Sequence, residues 1–266
     1  MLAVGQIDQV VDSAAVNAGE QVRQQAVTNS GITVQHTDWN DLSQAVRDLV
    51  EARTGPVRAA RTVSAGLNSQ LAAVLDTASG PLFVKGLRTD HPGVVRQHGE
   101  AMINLHVLSL APQLRWQAEG AGWNLLAFAY IPGARHADYS PGSADLPVVV
   151  QVINRLQEIP CPELPVKRAE QRWAAYVDNP DLGLLTGATL LHTDFNPLNV
   201  LMTAHGAWII DWAWPTRGAA FIDPACFLLR LMLAGHPGRS ISLLSRRTGP
   251  STAQNGRREH EDRSPG

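Results

Sequence analysis

The chain has 266 residues, 44% of them hydrophobic, and a formal charge of −2 at pH 7. It can therefore bury a real core, and it lacks the strong field expected of a partner for nucleic acid or an anionic membrane surface. Its two cysteines, Cys161 and Cys226, lie far apart without metal-ligand spacing, which argues against a disulfide framework or a zinc site. The opening segment has no basic region ahead of its apolar residues, and no apolar run approaches the roughly 20 residues of a membrane span, so a cytoplasmic globular protein is expected.

Residues 1–36, rich in Gln, Val and Ala, read as a loosely attached extension. From "DWNDLSQAVRDLVEARTG" onward, Leu42, Val46, Leu49 and Val50 recur at helical spacing, Asp38 or Asn40 can cap, and Gly55 stops the run. The segments "RTVSAG", "SQLAAVLDT" and "GPLFVKGL" are rich in β-formers and separated by Gly or Ser, and they predict three antiparallel strands, the first two joined by "SAGLNS". A helix is expected over "PGVVRQHGEAMINLHVLSL", with Val95, Ala101, Leu105 and Leu108 on its apolar side. "LRWQAEG" and "WNLLAFAYIPG" predict two more strands, and residues 132–147 read as a hinge between lobes. Beyond it "PVVVQVINRLQEI" and "KRAEQRWAAYV" predict helices. "DPACFLLRLMLAG" is apolar nearly all round, broken only by Arg230, and predicts a helix that needs cover on every side. Residues 237–266 turn to Ser, Gly, Pro and Arg, a composition expected to stay disordered. Such a tail leaves the preceding helix under-covered and opens a route to self-association.

"LLHTDFNPLNVL" and "AWIIDW" set Asp194, Asn199 and Asp211 at the edges of apolar segments, where unpaired polar groups are costly. Read as a hairpin turning around His205, "NVLMTAHGAWIID" makes Asn199 and Asp211 cross-strand neighbours whose side chains share a face. A carboxylate beside an amide oxygen suits Mg²⁺, which completes its shell with water and phosphate oxygens. Asp194, in the loop just before, faces the same space and is free to act as a base. Each residue alone has an ordinary reading: an Asp near a turn caps backbone N–H groups, an edge-strand Lys is solvated, and a helix Glu faces water. Lys85 inside "LFVKG" and Glu100 on the following helix alter the balance. The order of strand lysine, helix glutamate, loop aspartate and asparagine, then strand-end aspartate is the parts list of phosphoryl transfer.

From about Trp39 to Pro237 the sequence resembles the aminoglycoside phosphotransferases, small-molecule kinases related to choline and homoserine kinases. "LLHTDFNPLNVL" is similar to the family's H-G-D-x-x-x-x-N loop and "IIDW" to its metal-binding strand end. The resemblance implies an α+β, two-lobed, protein-kinase-like fold, with a small antiparallel-sheet N-lobe over residues 37–132 and a mainly helical, shortened C-lobe over residues 133–236. It implies Asp194 as catalytic, Asn199 and Asp211 as Mg²⁺ ligands, and Lys85 on the nucleotide phosphates with Glu100 behind it. "SAGLNS" would cover the nucleotide through Ser64, Gly66, Asn68 and Ser69, and "FAYIPG", with Ala129 and Ile131, resembles the hinge on which the adenine rests. The implied partners are ATP or GTP and a small hydroxylated acceptor, whose identity the sequence leaves open. Thr193 departs from the usual glycine, Trp212 and Ala213 stand where protein kinases have Phe-Gly, and the covering loop lacks a full G-x-G-x-x-G. Asp223 resembles an acid that braces the catalytic loop. Two other readings stay open: a truncated or degenerate nucleotide-binding protein without turnover, and a metal hydrolase using His192 and Asp194.

Overall fold

A computed structural model describes residues 36–63 and 69–238. The expectations for the amino-terminal extension, for Ser64, Gly66 and Asn68, and for the tail after residue 238 lie outside the described residues. A 3₁₀ turn, Trp39–Asp41, is capped by the Asp38 carboxylate, which accepts from Asn40 N at 2.9 Å. The helix that follows, α1 (Gln44–Thr54), starts after Ser43 and stops at Gly55, whose φ of 70° is the left-handed backbone that favours glycine.

Five antiparallel strands follow: β1 (Val57–Thr62), β2 (Leu71–Thr77), β3 (Gly80–Arg88), β4 (Leu114–Gly120) and β5 (Trp123–Ala129), arranged β1-β2-β3-β5-β4. The two-residue period of a strand divides this sheet into two faces. Leu71, Ala73 and Leu75 of β2, Leu82 and Val84 of β3, and Leu125 and Ala127 of β5 pack with Val46 and Val50 of α1 in one core. Ala72 and Val74, Phe83 and Lys85, and Phe128 lie on the other face and line a cleft. Lys85 therefore points away from the α1 core because of its parity in β3.

Between β3 and β4 runs α2 (Val94–Asn104), which buries Val94, Gln97, Glu100, Ile103 and Asn104. The expected apolar side is the wrong one: Val95 is 77% and Leu105 73% exposed. Polar partners select the buried face here, since Glu100 must meet Lys85 and the Asn104 amide bonds Pro112 O at 2.9 Å and Leu114 N at 2.7 Å.

The second half carries β6 (Arg135–His136), α3 (Leu146–Gln157), β7 (Lys167–Arg168), α4 (Ala169–Arg172), β8 (Thr189–Leu191), β9 (Val200–Thr203), β10 (Gly206–Ile209), β11 (Thr216–Gly218) and α5 (Ile222–Leu233). The strands form two small sheets ordered β10-β9-β6 and β7-β11-β8. Val149, Ile153 and Leu156 of α3, Phe227 and Leu231 of α5, and Val200 and Ile209 of the hairpin form its core. Ile103 of α2 and Val107 and Leu110 of the α2–β4 connection join that core, and Ile209 N donates to Leu110 O at 2.7 Å, so the two lobes share a seam. The helix expected over residues 167–177 shrinks to α4, because Lys167 and Arg168 pair in parallel with Thr216 and Arg217 instead. On α5, Leu229, Met232 and Leu233 stay more than half exposed.

Candidate active site

Lys85 is the hub of the cleft. Its Nζ lies 2.6 Å from Glu100 Oε2 and 3.0 Å from Asp211 Oδ1, so one ammonium joins the sheet, α2 and the end of the hairpin. Burial opposes the charge on Lys85, but the Asp211 and Glu100 carboxylates outweigh it and hold the ammonium above the ordinary lysine range. Burial pushes Glu100 above the usual carboxylate range, only partly offset by Lys85. A cationic Lys85 shared by two acids on opposite lobes is a ready seat for phosphate oxygens.

The hairpin differs from the expected register. Gly206 pairs with Thr203 and Ile209 with Val200, leaving a two-residue turn of Ala204 and His205. The Thr203 hydroxyl donates to Gly206 O at 2.9 Å and accepts from His205 N at 3.2 Å, which closes that tighter turn. Asn199 consequently faces Ile210, whose N–H donates to Asn199 O at 2.9 Å, and Asp211 is not its cross-strand partner. What brings Asp211 into the cleft is its own backbone: at φ 61° it leaves the strand direction immediately after the ladder ends and meets Lys85. Asn199, in the 3₁₀ turn Pro197–Asn199, lines the same cleft.

Asp194, in the loop after β8, lines the same cleft. Asn199 Nδ2 donates to its Oδ2 at 3.0 Å and to its backbone O at 3.1 Å. With that amide group committed, Oδ1 of Asn199 is the atom left to act as an oxygen ligand. The loop itself is pinned from below: Asp223, buried near the start of α5, accepts from His192 N at 2.8 Å and Thr193 N at 2.7 Å. Burial nonetheless raises Asp223 above the usual carboxylate range. The expected bracing role is thus seen in these two bonds. His192 Nδ1 accepts from Asp194 N at 3.3 Å and its Nε2 lies 3.0 Å from Ile210 O, so Nε2 carries the N–H toward that carbonyl and both nitrogens are spent. A hydrolytic metal on His192 has no free ligand atom there.

Two cations escaped the sequence reading. Arg230, the lone charge in an apolar helix, reaches Asp194 Oδ1 with Nη2 at 3.0 Å. The signal was the one used for Lys85, that a charge among apolar residues needs a counter-charge. Arg172 of α4 donates from Nη1 to Thr193 Oγ1 at 2.6 Å and to Thr216 Oγ1 at 2.9 Å. No local pattern reveals that contact, because its three elements meet only in the fold.

Around these groups is a cleft of about 520 Å³. Ser69, Lys85, Glu100, Ala129, Ile131, Asp194, Asn199 and Asp211 all line it, with Ala72, Val74 and Phe128 from the sheet facing Leu201 and Ile210 from the other lobe. The apolar sandwich at one end and the charged groups at the other suit a ligand with a flat apolar part and an anionic tail. Among the described residues no three His, Cys, Asp or Glu side chains cluster as a metal cage. An Mg²⁺ that keeps waters and phosphate oxygens needs only one or two protein ligands, which Asp211 and Asn199 fit.

No protein-family pattern matches the sequence, and no curated protein is significantly similar to it. Solved structures do match. Choline kinase LicA from Streptococcus pneumoniae superposes with a TM-score of 0.60 at 14% identity, covering 77% of this chain and 79% of that one. LicA in complex with AMP gives 0.57 at 14% identity over 79% and 82% of the two chains. Aminoglycoside phosphotransferase APH(3'')-Id from Streptomyces rimosus, in complex with ADP and streptomycin, gives 0.54 at 16% identity over 77% and 91%. The chain therefore has the two-lobed, protein-kinase-like fold, with an antiparallel-sheet lobe and a reduced helical portion in the other.

Proposed function

We propose that this protein transfers the γ-phosphoryl group of ATP or GTP to a hydroxyl of a small acceptor. The observation that carries the reading is the convergence of Lys85, Glu100 and Asp211 with Asp194 and Asn199 in one cleft. In this reading residues 37–132 hold the nucleotide and residues 133–236 supply the acceptor side. The base lies between the sheet and Leu201 and Ile210, resting at Ala129 and Ile131, while Ser69 begins the phosphate end. The solved complexes of LicA with AMP and of APH(3'')-Id with ADP and streptomycin support a nucleotide and a small acceptor as the two ligands.

Lys85 binds and neutralises the phosphate oxygens, held in place by Glu100. Asp211 and Asn199 would hold Mg²⁺, which when bound supplies further positive charge to the phosphate chain. Asp194 orients the acceptor hydroxyl and takes its proton as the acceptor oxygen bonds the γ-phosphorus. The bond from that phosphorus to the β–γ bridging oxygen breaks, and its electron pair leaves on the nucleoside diphosphate. Charge neutralisation and positioning provide most of the catalysis.

One feature favours a second reading, nucleotide binding without turnover: both carboxylate oxygens of Asp194 already have partners, Arg230 on Oδ1 and Asn199 on Oδ2. A screen of nucleotide consumption against hydroxylated metabolites separates the two. Under the first reading some acceptor is phosphorylated, Asp194→Asn removes at least 100-fold of the turnover while Mg·nucleotide affinity stays within about threefold, and Asp211→Ala weakens that affinity itself at least tenfold. Tight nucleotide binding with no acceptor consumed selects the second. The exposed Leu229, Met232 and Leu233 of α5 support self-association through that face as part of the same proposal.

A further inference from the structure

Three cations meet at one ring beside the candidate catalytic loop. The guanidinium carbons of Arg96 and Arg172 lie 4.6 and 5.0 Å from the Trp214 ring centroid, and Lys167 Nζ lies 6.0 Å from it. They come from α2, α4 and β7, so this is a product of tertiary folding and of both lobes. Among the described residues none of the three makes a direct ion pair with a carboxylate, although Asp194 and Asp223 attract Arg172 from a distance, whereas neighbouring Arg168 and Arg217 pair with Glu170 and Glu163. Like charges converging on one indole repel each other, and the ring's quadrupole offsets only part of that.

The cluster adjoins the acceptor side. Arg172 bonds the hydroxyl of Thr193, the residue before Asp194, and Arg230 covers Asp194 from α5. Asp223, beneath the loop, attracts Arg172 but has its oxygens taken by backbone N–H groups. Next to Arg96, Gln97 is 95% buried, and among the described residues neither of its side-chain amide atoms has a hydrogen-bond partner. It lines a cavity of about 10 Å³, large enough for one water-sized group, shared with Arg96, Ser69, Lys85 and the two carboxylates that Lys85 binds, Glu100 and Asp211. An unsatisfied buried amide beside cations that lack a direct ion pair is the character of a surface that receives oxygen-rich anions.

We propose that the acceptor carries an anionic group, a carboxylate or phosphate ester, seated on Arg96, Lys167 and Arg172 at Trp214 and reaching toward Gln97. The proposal rests on the phosphotransferase reading and narrows its substrate class: an acceptor bearing several ammonium groups meets repulsion on this side of Asp194, and an anionic alcohol meets attraction.

The test is calorimetric titration of the full chain, with saturating Mg·ADP and without it. The probes are inorganic phosphate and a matched set of small alcohols: glycerol, glycerate, glycerol 3-phosphate and 3-amino-1,2-propanediol. With the nucleotide site filled, at least one of phosphate, glycerate and glycerol 3-phosphate is expected to bind tenfold or more tightly than glycerol and the amine. Arg96→Gln with Lys167→Gln should erase that preference while ADP affinity changes less than twofold and the melting temperature stays within a few degrees. Equal or tighter binding of glycerol or the amine overturns the proposal. So does competition between the anions and ADP, or an equal loss of ADP affinity in the variant, because either assigns the cations to the nucleotide's own phosphates. If ADP does not bind at all, the phosphotransferase reading fails, and the titration without nucleotide still decides whether the cluster is an anion site.

Discussion

Thr193 stands where the resembling loops have glycine, and its φ of 70° lies in the left-handed region that favours glycine. A branched side chain in the left-handed region is strained, and the strain is held by neighbours on both sides. Asp223 fixes the Thr193 N–H at 2.7 Å, and Arg172 bonds its hydroxyl at 2.6 Å. Two substitutions separate backbone from side chain. Thr193→Ala and Thr193→Gly both delete the hydroxyl, but only glycine adopts this φ without cost. Thr193→Gly should therefore be more stable than Thr193→Ala by about 1 kcal/mol in denaturant unfolding. Equal midpoints and slopes for the two variants would show that the turn relaxes and carries no strain. The same residue links the loop to the cation cluster, so in both variants Arg172 loses one anchor to the backbone that positions Asp194.

At the scale of elements, α3 is tied to β6 by charge. Asp145 precedes α3 but makes no cap bond to it; its carboxylate takes Arg135 Nη1 at 2.5 Å, Arg135 Nη2 at 2.7 Å and Asp138 N at 2.8 Å. The hydrogen bonds from Arg135 hold Asp145 below the usual carboxylate range. A carboxylate whose folded pKa lies below its unfolded value of about 4 stabilises the fold above pH 4, and that contribution disappears as pH falls through the folded value. Asp145→Asn should cost stability at neutral pH, and its deficit relative to the wild type should shrink in strong acid. Denaturant midpoints at pH 7 and pH 2.5 read this directly, and a deficit of the same size at both would contradict it. Added salt should narrow the gap at pH 7, because Arg135 is 62% exposed and screening reaches it. Elements that announce themselves by local pattern were legible: β2 to β5 from β-formers punctuated by glycine, α3 and α5 from their apolar spacing. Elements decided by partners far along the chain were not. The buried face of α2 follows Glu100 and Asn104 rather than the Val95 and Leu105 pattern, residues 167 and 168 join a sheet completed by Thr216 and Arg217, and a threonine hydroxyl sets the hairpin register. The charged residues of the cleft could be named from their order, but the Asn199–Asp211 geometry could not, since it depends on a left-handed Asp211 that no strand period predicts.

Across the whole molecule the cleft is the place where the two lobes are held together most economically. The Lys85–Asp211 ion pair at 3.0 Å, the Arg96–Trp214 stacking at 4.6 Å and the Ile209–Leu110 hydrogen bond at 2.7 Å all cross from one lobe to the other, and the first lies at the proposed phosphate end. A ligand that binds Lys85, Asp211 and the apolar sandwich at once adds contacts to both lobes and none to the unfolded chain, so it must raise the stability of the whole. At about 100 times its Kd, Mg·ATP should raise the unfolding free energy by about 2.7 kcal/mol. The expected readout is one cooperative transition that moves up with nucleotide concentration. Lys85→Met removes the proposed phosphate seat and the ammonium that Asp211 and Glu100 share. That variant should melt earlier than the wild type, as a lost buried ion-pair partner is costly, and its melting temperature should no longer respond to Mg·ATP. Adenosine gives the second arm of the measurement: it fills the apolar end without touching Lys85, so its smaller shift should be the same in wild type and Lys85→Met. A Lys85→Met protein that still gains the full Mg·ATP shift would place the nucleotide phosphates away from Lys85 and remove the central contact of the proposed site.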